Sequence, residues 1–304
     1  MKMMIGQYGG FDEAKYRRDF QDGFYGIEAC LFASQEDTDQ LLREAKLREF
    51  RLGVHFPFHA GRSKLRDALL LSPDQTTREQ AYALVEAELR DLAAIAPEYV
   101  LFHYPKPVIL DEQADWDLWN FSGPDEYLHA SEYSQEELIH WTRQLFEWLS
   151  AASAKYDFIP VLEFDAISRY IHQSEFLPAM LDAYPAIRLC LDTARLHLQA
   201  CTDPNFDAMA VIRRYAKYAH VIHLSSLQVK DKTSHRHQPV LPELKPEDGW
   251  APIEDYLSIL AAENSGARIL FEHRSDRITD EQLEQCYAWV RELWSKATPA
   301  PSGA

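Results

Sequence analysis

Eight short apolar segments recur along the 304-residue chain, and stretches with helical periodicity separate them. Several segments consist almost entirely of Val, Ile, Leu and Phe, which is typical of parallel strands that are buried on both faces. The strand candidates are Met3–Tyr8, Tyr25–Phe32, Leu52–Phe58, Tyr99–Tyr104, Phe158–Phe164, Ile187–Asp192, His220–Leu224 and Arg268–Glu272. Eight such strands with intervening helices predict the α/β class and a single closed parallel (β/α)₈ barrel, the TIM-barrel architecture.

The length of the chain suits one such barrel with insertions. A barrel of this class takes about 250 residues, so we assign residues 1–297 to one domain. Residues 298–304 are rich in Pro, Ser, Gly and Ala, and we expect them to form a flexible C-terminal tail. Two helices carry start signals of the capping-box type, at Ser134 to Glu137 and at Thr279 to Gln282.

Two of the predicted connections are long, and both follow strands. Residues 105–133 follow the fourth strand and residues 225–249 follow the seventh. Barrel enzymes carry their active sites at the C-terminal ends of the strands, where both connections begin. The first connection contains Trp116 and Trp119. These rings either pack the loop onto the barrel or contact a substrate, and the sequence favours neither alternative.

Six of the eight predicted strands finish in a side chain that can bind a metal ion. From the third strand to the eighth these residues are His55, His103, Glu163, Asp192, His223 and Glu272. One such residue alone is more often a hydrogen-bonded structural residue than a ligand. Structural requirements do not favour the same end of successive strands, however, and a closed barrel brings these ends together. The joint placement therefore predicts a metal site.

The chemistry of this set suits a divalent cation. Converging carboxylates repel one another and raise their own pKa values, and a bound cation removes that repulsion. Carboxylates mixed with imidazoles suit Zn²⁺, Mn²⁺, Fe²⁺ or Co²⁺ better than Ca²⁺. The ligand types do not distinguish among Mn, Zn, Mg, Co and Fe.

Candidate substrate-binding residues follow the sixth and seventh strands. Arg195 and His197 come just after the sixth, and His235, Arg236 and His237 stand together in the loop after the seventh. A His-x-His pair can hold a second metal, and the intervening Arg can hold a phosphate or a sugar oxygen. A surface loop with coincidental histidines is the alternative.

The formal net charge of −17 bears on the partners. It makes nucleic acid an unlikely partner, because phosphate contacts need clustered Lys and Arg. It does not exclude a phosphorylated small molecule in a metal-lined pocket. No apolar run approaches the length of a membrane span. The four cysteines are scattered, and the first ten residues lack a secretory signal pattern, so we expect a cytoplasmic protein.

These residues, in this order and spacing, resemble the xylose isomerase-like barrel superfamily. It includes sugar and sugar-phosphate isomerases and epimerases, and the endonuclease IV type of apurinic-site nuclease. The resemblance implies one metal held by Glu163, Asp192, His223 and Glu272. It also implies that Glu163 and Glu272 move protons through a metal-stabilised enediolate, on a small polyhydroxylated or phosphorylated substrate. Members of the superfamily are often homo-oligomers.

Two alternatives remain open. The nuclease branch implies a second metal, with His55, His103 and His237 as its candidate ligands and a phosphodiesterase activity. The superfamily often has Asp-x-x-His after the sixth strand and His-x-x-Asp after the seventh, where this chain has Arg195 and Ser226. Arg195 argues against the full nuclease site. Both departures also motivate a third hypothesis, a barrel that binds a ligand without catalysis.

Overall fold

The computed structural model describes residues 1–63, 65–121 and 123–298. Its main sheet is a closed barrel of eight parallel strands that follow one another around the barrel in chain order. The strands are Lys2–Tyr8, Gly26–Cys30, Arg51–His55, Tyr99–Tyr104, Ile159–Phe164, Arg188–Asp192, Ala219–Leu224 and Arg268–Phe271. We call them the first to eighth barrel strands. The predicted (β/α)₈ barrel is confirmed.

Helices alternate with the barrel strands, and together they form the outer layer of the fold. They are Glu13–Asp19, Gln35–Arg48, Gln75–Leu92, Gln135–Tyr156, Arg169–His172, Phe176–Ala183, Thr193–Thr202, Ala208–Tyr215, Ile253–Glu263 and Asp280–Ala297. Capping boxes start two of them, at Ser134 and Thr279, as predicted. Every helix in the described part of the chain is too short or too polar to cross a bilayer. In the predicted tail, Thr298 caps the last helix, and 299–304 lie outside the described residues.

Three barrel strands are shorter at their C-terminal ends than predicted. The second strand ends at Cys30, where Leu31 adopts a positive φ of 56° and breaks the extended conformation. The third ends at His55 rather than Phe58, because Pro57 has no N–H to donate to a strand ladder. The eighth ends at Phe271, so Glu272 is the first residue after the strand.

Side chains alternate between the two faces of each strand, and this alternation places the polar strand-end donors directly above an apolar layer inside the barrel. Two positions before each of the last five strand-end donors lies a buried side chain that fills the interior: Leu101, Val161, Cys190, Val221 and Leu270. Residues two apart point to the same face of a strand. Before His55 this position is Gly53, where a Cβ would lie 2.2 Å from the Cζ of Tyr99. The Tyr99 ring fills that space instead.

The two long loops carry small sheets of their own. After the fourth strand, Val108–Leu110 pairs in parallel with Tyr127–His129, and after the seventh, Ser226–Val229 pairs antiparallel with Thr233–Gln238. Trp119 is buried in an apolar cluster with Leu198 and Leu227, and Trp116 packs against that cluster. The tryptophan rings therefore pack the first loop onto the barrel and the second loop.

Candidate metal centre

Four of the predicted donors converge at the C-terminal end of the barrel. One ligand atom from each of Glu163, Asp192, His223 and Glu272 lies within 4.8 Å of the others. The fifth, sixth and seventh strands position the first three, and Glu272 follows the eighth. The side chains of Glu163 and His223 are 1% and 0% exposed, whereas that of Glu272 is 12% exposed. Glu272 is thus the member of the set that faces solvent.

A second group of donors shares Glu163 with the first. The Nε2 atoms of His55 and His103 lie 3.3 and 2.9 Å from Glu163 Oε2. The predicted partner His237 does not join them: it is exposed, and its Nδ1 lies 3.3 Å from the backbone oxygen of Glu272. The third member of this group is therefore Glu163 rather than His237.

A buried nitrogen at the centre of the first group lacks a hydrogen-bond partner. His223 Nδ1 makes no hydrogen bond among the described residues. It lies 3.1 Å from Glu163 Oε1 and 3.3 Å from Glu272 Oε2. Buried polar atoms are normally hydrogen-bonded. A set of two glutamates, an aspartate and a histidine whose unsatisfied nitrogen faces two of the carboxylates fits a divalent cation.

The pKa values of these residues reflect how closely their carboxylates lie together. Burial, with repulsion from Glu272 and Glu163, raises the pKa of Asp192 to about 6. Burial would also raise the pKa of Glu163, but the attraction of its carboxylate to His223 and His103 in their protonated forms outweighs burial and holds that pKa well below its usual value. A positive charge among these carboxylates is therefore strongly favourable.

Asp192 has two roles that its position explains. It is the last residue of the sixth strand and the N-cap of the helix Thr193–Thr202. Its Oδ1 accepts the backbone N–H groups of Ala194 and Arg195 at 2.7 and 3.0 Å. Because these bonds fix the carboxylate, Oδ2 is held toward the centre, where Arg195 Nε lies 3.6 Å away.

Three supporting residues were not predicted from the sequence. The Nε2–H of His223 donates to Glu28 Oε2 at 3.2 Å, and the Tyr99 hydroxyl donates to the same oxygen at 2.7 Å. These contacts leave His223 Nδ1 free to bind a metal, which is how outer partners orient metal-binding histidines. The Tyr8 hydroxyl donates to Glu272 Oε1 at 2.6 Å. The available signal was Glu28 itself, a charged residue inside an otherwise apolar buried strand.

The second group contains a cation supplied by the protein. The Nδ1–H of His55 donates to the backbone oxygen of Phe56 at 2.9 Å, and that of His103 donates to Asp67 Oδ2 at 2.8 Å. Both Nε2 lone pairs are then acceptors. Arg66 Nη2 lies 3.1 Å from that of His55 and 3.4 Å from that of His103. The guanidinium thus contacts the nitrogens that a second metal would bind.

Further charges complete this side of the site. Lys106 Nζ lies 2.9 Å from Asp67 Oδ2 and 2.8 Å from Asp165 Oδ2. Arg195 Nη1 donates to Asp165 Oδ1 at 2.7 Å, and Arg195 Nη2 lies 3.3 Å from His103 Nε2. Burial would raise the pKa of Asp165, but Lys106 and Arg195 hold it far below its usual value. These carboxylates are paired within the protein.

Only Arg195 among the four predicted substrate-binding residues lines the central cavity, which has a volume of about 310 Å³. The Nε2–H of His197 donates to the Gly249 carbonyl at 3.1 Å, so its helix directs it away from the barrel axis. His235 is exposed with its ring 5.6 Å from that of Trp250. Arg236 Nη2 donates to the Leu118 carbonyl at 2.8 Å and joins the two long loops.

The cavity combines the metal donors with positive charge. Its lining includes Asp192, Glu272, Arg66, Arg195 and His237. Its volume is at the lower end of the range of about 300–1,000 Å³ that is usual for small-molecule sites. A cavity of this size can hold a small polar molecule next to Asp192 and Glu272.

Comparison with known proteins agrees with this architecture. The TTHB071 protein from Thermus thermophilus, soaked with ZnCl₂, superposes with a TM-score of 0.61 at 17% identity over 98% of this chain and 100% of its own. The IOLI protein with a zinc atom gives 0.61 at 12% identity over 99% and 100%. The 3-keto-D-glucoside 4-epimerase YcjR from E. coli gives 0.58 at 13% identity over 96% and 99%. At these identities the likeness shows the fold alone.

The sequence itself places the chain in a family. No curated protein sequence matches it significantly. The family model described as xylose isomerase-like TIM barrel, however, matches residues 21–293, which is most of the chain. The protein therefore belongs to the xylose isomerase-like TIM-barrel family.

Proposed function

We propose that the protein is a divalent-metal-dependent isomerase or epimerase of a small sugar or sugar phosphate. The observation that carries this proposal is the convergence of Glu163, Asp192, His223 and Glu272 beside a cavity that Asp192 and Glu272 line. The set contains two glutamates in addition to an aspartate and a histidine. Such a set can hold a cation and still supply two groups for proton transfer.

A divalent cation held by these four residues would polarise carbonyl and hydroxyl oxygens of the substrate and stabilise enediolate-like charge. Glu163 and Glu272 are the proposed proton carriers. One accepts the proton from the carbon next to a carbonyl, and the other returns a proton to the same or the neighbouring carbon. Although burial would raise the pKa of Glu272, His223 holds it far below its usual value, so this residue is a carboxylate. The Tyr8 hydroxyl fixes its position.

The positive side of the cavity accounts for the substrate class. Arg66 Nε is buried and makes no hydrogen bond among the described residues, and Arg66 lines the cavity together with Arg195. Guanidinium groups bind phosphate and carboxylate oxygens with two parallel hydrogen bonds. A phosphorylated or otherwise anionic sugar can therefore place its anionic group against these arginines and its hydroxyl groups toward the metal donors.

The phosphodiesterase alternative has one observation in its favour, the grouping of His55 and His103 with Glu163. That activity requires a second metal at this position. The Arg66 guanidinium contacts both histidine Nε2 atoms, and its charge repels a cation there. A single metal at the first group, with arginine at the second, favours the isomerase or epimerase.

Proton exchange with solvent tests the proposal directly. Protein loaded with Mn²⁺, Zn²⁺, Mg²⁺, Co²⁺ or Fe²⁺ is incubated in D₂O with a panel of aldoses, ketoses and their phosphates. We expect deuterium at a carbon next to a carbonyl, detected by NMR, and its loss in Glu163→Gln and Glu272→Gln. Exposed Glu254→Gln is the matched control. Full exchange in either glutamine variant contradicts the proposed roles, and binding of a panel sugar without any turnover supports the non-catalytic barrel.

A further inference from the structure

A third group of metal-binding side chains lies outside the barrel mouth. One ligand atom from each of Asp111, His172 and Asp203 lies within 4.8 Å of the others. Asp111 follows the short strand Val108–Leu110, His172 ends the helix Arg169–His172, and Asp203 is the C-cap of the helix Thr193–Thr202. Three loops that are distant in sequence therefore meet at this point.

The atoms that face one another in this group have no hydrogen-bond partner among the described residues. Asp111 Oδ1, His172 Nε2 and Asp203 Oδ2 are all buried and make no hydrogen bond among the described residues. The side chains of His172 and Asp203 are 4% and 2% exposed, and their facing atoms are 3.9 Å apart, too far for a hydrogen bond. Leaving three such atoms unsatisfied is costly.

The other oxygens of both aspartates are already used, and these bonds orient the carboxylates. Asp111 Oδ2 accepts the backbone N–H of Arg169 at 2.7 Å, and Asp203 Oδ1 accepts that of Asn205 at 2.9 Å. The ring of Phe206 packs edge-on against His172 at 5.2 Å. Arg169 Nη1 approaches Asp111 Oδ1 only to 3.5 Å and leaves it without a hydrogen bond. The unpartnered atoms are thus held toward a common point.

We propose that Asp111, His172 and Asp203 bind a second divalent cation, a transition-metal ion of the Zn²⁺ type. One imidazole and two carboxylates form a zinc ligand set, whereas Ca²⁺ prefers oxygen ligands alone. Ligands about 2.1 Å from a tetrahedral ion lie about 3.4 Å apart, so small side-chain movements suffice to close the set. This proposal does not depend on the function proposed for the barrel centre.

The position of the site gives the ion a structural role. The helix Thr193–Thr202 starts at Asp192 in the barrel centre and ends at Asp203, and ten helical residues span about 15 Å. Asp111 belongs to the loop whose tryptophans pack over the barrel, and the backbone N–H of Asp115 in the same loop donates to the Thr202 carbonyl at 3.0 Å. The ion joins this loop to the end of the helix that positions Asp192.

Counting bound Zn²⁺ in matched variants tests the proposal. Chelated and dialysed full-length protein is titrated with ZnCl₂ by calorimetry, and the metal content is measured after desalting. We expect two Zn²⁺ per chain in the wild type and one in His172→Gln and in Asp203→Asn, an isosteric change that keeps the bond to Asn205. Asp207→Asn, the same change at an exposed helix cap nearby, retains two.

The barrel variant Glu163→Gln/Asp192→Asn gives the complementary count and decides the question even if Asp203→Asn does not fold. We expect it to retain one Zn²⁺, and its midpoint of thermal unfolding to rise when Zn²⁺ is added. No bound Zn²⁺ in this variant, or two in Asp203→Asn, overturns the proposal. If the barrel centre binds no metal, the counts differ: the wild type binds one Zn²⁺ per chain, and Asp203→Asn binds none.

Discussion

Two groups of side chains share the carboxylate of Glu163, and they differ in where their positive charge comes from. On one side Asp192, His223 and Glu272 surround Glu163, and the buried Nδ1 of His223 makes no hydrogen bond among the described residues. On the other side His55 and His103 face Glu163, but there the Arg66 guanidinium contacts both imidazoles. In the first group the nearest guanidinium, that of Arg195, stays 3.6 Å from Asp192 Oδ2 and 3.9 Å from Glu163 Oε1. The first group therefore has room for a cation from outside the chain, whereas the second already has one in direct contact.

The difference extends to the residues around each group. Behind His103, Lys106 pairs with both Asp67 and Asp165, and Arg195 pairs with Asp165. Behind His223 lies Glu28, a further carboxylate. Similar residue types therefore produce a group neutralised by its own cations and a group with an excess of negative charge. This contrast, more than the ligand types alone, indicates one metal in the barrel.

The largest expected effect is the loss of the barrel metal. Asp192→Asn removes a charged ligand but keeps the helix cap, because asparagine also caps helices. Loss of an outer partner weakens a metal site by about 10–100-fold, so we expect loss of a ligand to exceed about 100-fold, measured by calorimetry in the Asp203→Asn background. His103→Gln, in the other group, should change affinity far less. Equal effects of the two variants would remove the distinction between the groups.

A smaller effect is expected from the residue that orients His223. Glu28→Gln keeps an acceptor for the Nε2–H of His223 but removes the negative charge that makes the imidazole a better ligand. We expect Zn²⁺ affinity at the barrel centre to fall by about 10–100-fold, with the circular dichroism spectrum unchanged. The exposed Glu79→Gln provides the control. An unchanged affinity in Glu28→Gln would mean that Glu28 has no positioning role.

Removing the cation from the second group should make it more like the first. Arg66→Ala removes the guanidinium that contacts both Nε2 atoms, and it leaves Arg195 Nη2, 3.3 Å from His103 Nε2, as the one guanidinium contact of this pair among the described residues. We expect this variant to bind one more Zn²⁺ per chain than the wild type, with millimolar to micromolar affinity, by calorimetry. Arg66→Lys should not gain it, because the positive charge remains. No additional ion in Arg66→Ala would show that Arg66 does not exclude a metal.

The smallest expected effect concerns His237. It is exposed, and its ring contacts the backbone oxygen of Glu272. Substitutions at such surface positions usually change stability by less than about 0.5 kcal/mol, and we expect His237→Ala to leave both Zn²⁺ affinity and the unfolding midpoint close to those of the wild type. A tenfold loss of Zn²⁺ affinity would restore His237 as a ligand.

The barrel and the position of the strand-end donors could be predicted from strand periodicity, whereas the choice of four of these donors as one metal set came from the resemblance to the family. Strands that alternate with helices close into a barrel, and His103, Glu163, Asp192 and His223 occupy equivalent ends of successive strands. Residues in loops have no such regularity. Arg66 and Lys106 reach the site through irregular segments, and the sequence contains no spacing that brings them together.

The lack of regular spacing outside the strands also explains why some residues were assigned to the site wrongly. His197 follows Asp192 by five positions, but its helix directs it toward the Gly249 carbonyl rather than the cavity. His237 lies on the strand Thr233–Gln238, and its ring contacts the backbone oxygen of Glu272 rather than His55 or His103. The group of Asp111, His172 and Asp203 depends on three loops meeting, which only the folded chain reveals.

The most direct measurement is anomalous diffraction at the zinc edge from a crystal soaked in ZnCl₂. The account predicts a strong peak among Glu163, Asp192, His223 and Glu272, a second among Asp111, His172 and Asp203, and none between His55 and His103. A peak between His55 and His103, with no density among the four strand-end residues, would contradict the assignment of the metal centre.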